Sequence, residues 1–124
     1  MGELGAIAAG GALGALMRFW VSGGVHTWFG RDFPYGTLSV NVLGSFFIGI
    51  AFVLLTEKLT LGSEVRAFIM VGFLGAFTTF STFSLETLFL LQEGLLIKAM
   101  SNVLINISLC IIATWCGILA VRSF

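Results

Sequence analysis

Four long apolar stretches, separated by short clusters of charge, set the pattern of this chain. Leu4 to Val25 is interrupted only by Arg18, while Gly36 to Thr56, Ala67 to Leu85 and Ala99 to Val121 carry no formal charge. About 20 apolar residues at about 1.5 Å per residue cross about 30 Å of hydrocarbon. Backbone groups in lipid must pair within their own segment, so each stretch is predicted to be a helix. The pattern therefore describes an all-α integral membrane protein, with four transmembrane helices over about 4–25, 36–56, 67–91 and 97–121. They form a single transmembrane domain over 1–124.

The connections are too short to host a soluble catalytic domain. The first holds His26, Arg31, Asp32 and Pro34, with His26 expected in the loop as an interfacial residue. The second holds Glu57, Lys58, Glu64 and Arg66, and the third Gln92, Glu93, Gly94 and Lys98. Function is thus expected inside the bilayer. The first stretch starts at Glu3 rather than in a basic region, so it is not read as a signal peptide.

Composition agrees with the pattern. Of 124 residues 58% are apolar and 10% charged, too few charges to cover a water-soluble globule. The net charge is zero, which gives no case for nucleic-acid binding. Cys110 and Cys116, six residues apart, match no metal-ligand spacing and read as packing residues. With no nucleophile–base pair in evidence, an enzyme is not expected.

Charge also bears on orientation. Lys58, Arg66 and Arg122 fall on one side of the membrane; Arg31, Lys98 and a snorkelling Arg18 fall on the other. This balance leaves the positive-inside rule nothing to read. It fits dual topology with an antiparallel homodimer, and it fits a noisy count over short loops equally well. Ala6, Gly10 and Gly14 make a small-residue ridge, with Gly44 and Gly49 similar. Such ridges suit close helix approach, between subunits or within one.

The polar residues inside the spans carry the chemistry. Thr37 and Asn41 are four apart and share a helix face, as do Asn102 and Asn106. The densest group is Gly72-Phe73-Leu74-Gly75-Ala76-Phe77-Thr78-Thr79-Phe80-Ser81-Thr82-Phe83-Ser84. Glycines followed by hydroxyl residues weaken a helix, so a break near the midplane is one reading. A continuous helix with back-bonded hydroxyls is the other. Carbonyls freed by a break would suit a small hard cation. Phe80 and Phe83 lie three apart among hydroxyl donors, and the positive edges of their rings are suited to a small anion.

The run from Gly72 to Ser84 resembles the signature of the Fluc family of fluoride channels. Gly11-Ala12-Leu13-Gly14-Ala15-Leu16-Met17-Arg18 is similar to the family's first helix, and Gly36 to Ser45 to the start of its second. The resemblance implies passive fluoride export through an antiparallel, dual-topology homodimer with two pores, in the bacterial plasma (inner) membrane. It implies a fluoride pathway along Asn41, Phe80, Ser81, Thr82 and Phe83, and a structural sodium ion (Na+) on the dimer axis, held by the backbone carbonyls of Gly75 and Thr78. Asn102 and Asn106 match a polar line in the fourth helix that often begins with a tyrosine, and no tyrosine is present in this span. Asn106 is placed on the pathway, and Glu86 continues the face of Phe83. The main competitor is a small four-helix, proton-coupled multidrug exporter. That reading needs a membrane-embedded acid, and Glu86 is the only acid close to a span interior.

Overall fold

Apolar runs of this length can satisfy their backbone in lipid only as helices. The computed structural model describes residues 2–124. It has four helical segments long and apolar enough to cross a membrane: Gly2–Phe29, Tyr35–Lys58, Ser63–Gln92 and Leu96–Arg122. We refer to them as the first helix, the second helix, the third span and the fourth helix. Each runs beyond its apolar stretch. The first helix, at 28 residues, is about 42 Å long and so outreaches the hydrocarbon. Its far end carries the exposed rings of Trp28 and Phe29, residue types that favour the membrane–water boundary.

His26 lies in the last turn of the first helix rather than in a loop. Nothing in the sequence stops the helix before Gly30, whose φ of +82° is the left-handed conformation that ends helices. The Gly30 N–H donates to the His26 carbonyl at 2.8 Å. Pro34 then precedes the second helix, where its missing N–H costs nothing. That helix widens into a π-helical turn at Leu54–Lys58. A further left-handed glycine, Gly94, makes the turn into the fourth helix.

The third span is composite. An α-helical turn at Ser63–Arg66 leads into a π-helical stretch, Ala67–Leu74, and a short α-helical piece, Gly75–Phe77. Thr78 (φ −87°, ψ 161°) and Thr79 (φ −151°, ψ 118°) are extended, and the helix resumes over Phe80–Gln92.

Lipid tails are as apolar as leucine, so helices in a bilayer hold together by close contact more than by the hydrophobic effect. Glycine supplies that contact here. A Cβ on Gly10 or Gly14 would collide with the backbone carbonyls of Phe68 and Phe73, and one on Gly72 would meet the Ile7 carbonyl in return. The first helix therefore lies directly on the third span. A second crossing joins the second and fourth helices. There Gly49 faces the Thr114 carbonyl and Gly117 the Phe46 carbonyl, and the Thr114 hydroxyl donates to the Ser45 carbonyl at 3.0 Å. The small-residue ridges are thus used within the subunit. An exposed ion pair, Arg122 to Glu57, ties the ends of the second and fourth helices. One stretch of the third span stays uncovered, with Val71, Gly75 and Phe80 exposed beside the interruption.

Candidate functional site

Two extended residues inside an apolar span leave backbone groups that lipid cannot satisfy. The second helix supplies their partner. Asn41 Oδ1 accepts from the Thr79 N–H at 2.8 Å, and Asn41 Nδ2 donates to the Thr79 carbonyl at 3.0 Å. A carboxamide is chemically a peptide group, so it replaces both hydrogen bonds that Thr79 loses by leaving the helix. The Thr79 hydroxyl in turn accepts from the Thr82 N–H at 3.2 Å and caps the second half of the span. On the other side, the Thr78 N–H and hydroxyl both donate to the Leu74 carbonyl, at 3.2 and 3.1 Å. Among the described residues, no hydrogen bond from a following turn reaches the carbonyls of Gly75 and Thr78. The interruption thus sets a carbonyl-rich helix end against an N–H-rich one, with opposite partial charges.

Beside it lies a cavity of about 330 Å³, lined by Asn41, Gly75, Thr78, Phe80, Phe83 and Asn106. The rings of Phe80 and Phe83 are 5.4 Å apart between centroids and tilted by 55°. Phe83 is 7% exposed and Phe80 76%, so one ring is set in the core and the other stands on the uncovered face. Asn106, 4% exposed, accepts from Asn41 Nδ2 over a long 3.4 Å. Six of the residues singled out in the sequence therefore converge on one cavity, although they come from three of the four spans.

The remaining three do not share it. Thr82 lines a second cavity of about 350 Å³ on the other face of the interruption, with Arg18, Thr37 and Thr79. Arg18 thus lines a partly open cleft. Ser81 is exposed. Glu86 lines a third cavity of about 380 Å³ near the first loop, among His26, Arg31, Asp32 and Lys98. Its Oε1 is buried and, among the described residues, has no hydrogen-bond partner.

Sequence reasoning missed two participants. Thr79 forms part of both main cavities, yet among so many hydroxyls its place was not visible. Cys110, read as packing, lines the 330 Å³ cavity one helical turn beyond Asn106; its spacing of four from Asn106 was the available signal.

Glu86 offers a direct test. An acceptor without a donor beside cationic groups has no structural task to lose. Glu86→Gln is expected to keep the fold and change the transport rate by a few-fold. A rate identical to wild type would set Glu86 outside the ion pathway that the family resemblance implies.

The chain matches the family described as CrcB-like protein, Camphor Resistance (CrcB), over residues 5–118. A Methylococcus capsulatus protein named fluoride-specific ion channel FluC is 57% identical over 120 residues, which are 97% of this chain and 53% of that protein. Proteins of the same name from Hydrogenovibrio crunogenus and Magnetococcus marinus are 51% and 49% identical. They cover 98% and 94% of this chain, and 92% and 94% of their own length. The chain therefore spans about half the length of the Methylococcus relative and nearly all of the other two. With four membrane-crossing helices and matches along almost its entire length, it is a multi-pass membrane protein that belongs to the CrcB-like family.

Proposed function

We propose that the chain forms a fluoride-selective channel, which lets fluoride leave the cell passively across the bacterial plasma membrane. The observation that carries this reading is the convergence of Asn41, Phe80 and Phe83 on one cavity beside an interrupted helix. The names of the relatives point the same way.

Fluoride is small and strongly hydrated, so a path for it must replace water with closely spaced donors while remaining too narrow for chloride. Ring edges carry partial positive charge, and Phe80 and Phe83 present two rings at the cavity. The N-terminus of the helix Phe80–Gln92 adds positive potential at the same place. Asn41 contributes an amide at the cavity wall, its Nδ2 donating to the Thr79 carbonyl at 3.0 Å and to Asn106 Oδ1 at 3.4 Å. Ser81 and Thr82 place hydroxyls on the first turn of that helix, Asn106 completes the wall, and Glu86 stands toward the loop. The chemistry is passage rather than catalysis.

The uncovered face beside Phe80 supports a second subunit, and the balanced charges support an antiparallel, dual-topology homodimer with two pores. In that arrangement the interruption lies near the bilayer midplane. The unpartnered carbonyls of Gly75 and Thr78 have the hard oxygen chemistry that suits sodium. Bound between two copies of the chain, the ion would offset their negative dipoles and hold the subunits together.

Efflux from liposomes carrying the purified protein, followed with fluoride and chloride electrodes, tests the reading. Fluoride is expected to leave rapidly, with negligible chloride and no need of a proton gradient. Transport that depends on a proton gradient would point instead to a proton-coupled exporter. A folded protein that moved neither anion would sink the proposal.

A further inference from the structure

The amides of the fourth helix form part of a hydrogen-bond chain with a single direction. It begins at the Thr79 N–H, which donates to Asn41 Oδ1 at 2.8 Å. Asn41 Nδ2 then donates to Asn106 Oδ1 at 3.4 Å, and Asn106 Nδ2 to Asn102 Oδ1 at 2.8 Å. Asn102 Nδ2 donates to Thr87 Oγ1 at 2.9 Å, and the Thr87 hydroxyl to the Phe83 carbonyl at 2.8 Å. Both ends are backbone groups with no choice of role: an N–H that can only donate and a carbonyl that can only accept. They impose one orientation on the three carboxamides and the hydroxyl between them. A flipped Asn106 would set its oxygen against the Asn102 carbonyl and Oδ1, both of which it now serves as donor.

Donor accounting and position separate Asn102 and Thr87 from the ion. Asn106 spends its amide on two Asn102 oxygens, at 2.8 and 3.0 Å. Asn102 is 1% exposed and does not line the cavity that holds Phe80 and Phe83. Thr87 does not line that cavity and instead lines an apolar one with Leu91 and Val103. Yet the chain runs from the interruption at Thr79 to the carbonyl of Phe83, the residues between which lie the first turn of the resumed helix and both rings. In a low-dielectric interior such a chain polarises along its length, and breaking one link leaves its neighbours unpaired.

We propose that Asn102 and Thr87 are positioning residues for the fluoride path: through Asn106 they hold Asn41 and Phe83 in register across the cavity and do not themselves touch the ion. The inference rests on the channel reading and adds residues to it. Here an asparagine does by relay what a direct ligand in the fourth helix would do by contact.

The test is fluoride efflux from proteoliposomes over a range of internal fluoride concentrations. Thr87→Val keeps the volume and removes the hydroxyl. It is expected to lower maximal flux roughly three- to tenfold, the scale of one net hydrogen bond, with the half-saturating concentration unchanged. Thr87→Ser is expected to restore wild-type flux. Asn102→Leu cuts the same chain and carries the same expectation should Thr87→Val not assemble. The double variant is expected to be no slower than the slower single one, since a cut chain cannot be cut again. Wild-type flux in Thr87→Val and Asn102→Leu, multiplying effects in the double variant, or a raised half-saturating concentration would each overturn the relay while leaving the channel reading intact. Absence of fluoride flux in the wild-type protein would overturn both.

Discussion

Phe80→Ile is expected to slow fluoride release about a hundredfold while leaving the subunit folded, a loss of the size seen when one preorganised donor is removed from a site that stabilises charge. The residue is 76% exposed in the single chain, so isoleucine removes little packing from the subunit that carries it. What disappears is the aromatic ring at the cavity, and with it the positive edge that the channel reading assigns to the ion. Phe83→Ile should lower flux similarly, with some added loss of stability because that ring is buried. The pair of variants separates packing from electrostatics. Efflux measured beside thermal unfolding reads both quantities, and unchanged flux in both proteins would sink the ring-edge account.

A comparably large effect is expected from Asn41→Leu, for a different reason. Leucine keeps the branched shape in a larger side chain and leaves the Thr79 N–H and carbonyl without partners. A buried backbone group left unpaired costs about 1–3 kcal/mol, so the two together cost roughly 2–6 kcal/mol. The protein can recover part of this by drawing Thr79 back toward a helical conformation, which would close the interruption. Either response should abolish most of the flux, and the unfolding temperature should fall further than in Phe80→Ile. Asn41→Asp can still accept from the Thr79 N–H but turns an oxygen toward its carbonyl, so it should conduct poorly as well. An Asn41→Leu protein that unfolds at the wild-type temperature would show that the amide does not hold the interruption open.

The spans were legible because their signal is additive. Each is a run of roughly twenty residues in which every position must be compatible with lipid, so single exceptions such as Arg18 hardly disturb the reading. Helix ends were less legible. His26 read as loop because it precedes a charged cluster, whereas the helix ends on the backbone conformation of Gly30. The glycine ridge was visible, but its partner was not: the pattern Ala6, Gly10, Gly14 says that something comes close, and only the fold brings the carbonyls of Phe68 and Phe73 there.

The site divides in the same way. Asn41, Phe80, Phe83 and Asn106 stood out because polar or paired aromatic groups inside a span demand an explanation. Thr79 did not, although both cavities meet at it, because one threonine among several hydroxyls carries no distinguishing local signal. Thr87 was invisible for a similar reason, since its importance comes from touching Asn102 of another helix.

By itself, then, the sequence determined the number of membrane-crossing helices, the shortness of the connections between them, and the span in which the helix is weakest. Those properties follow from local composition, since lipid and backbone act on each segment separately. Only the tertiary structure decided that Asn41 pairs with Thr79, that two phenylalanines and two asparagines share one cavity, and that Glu86 lies in another. These depend on which helix faces which. Intrinsic propensity does not encode that choice; close backbone contact at Gly10, Gly14, Gly49 and Gly117 does.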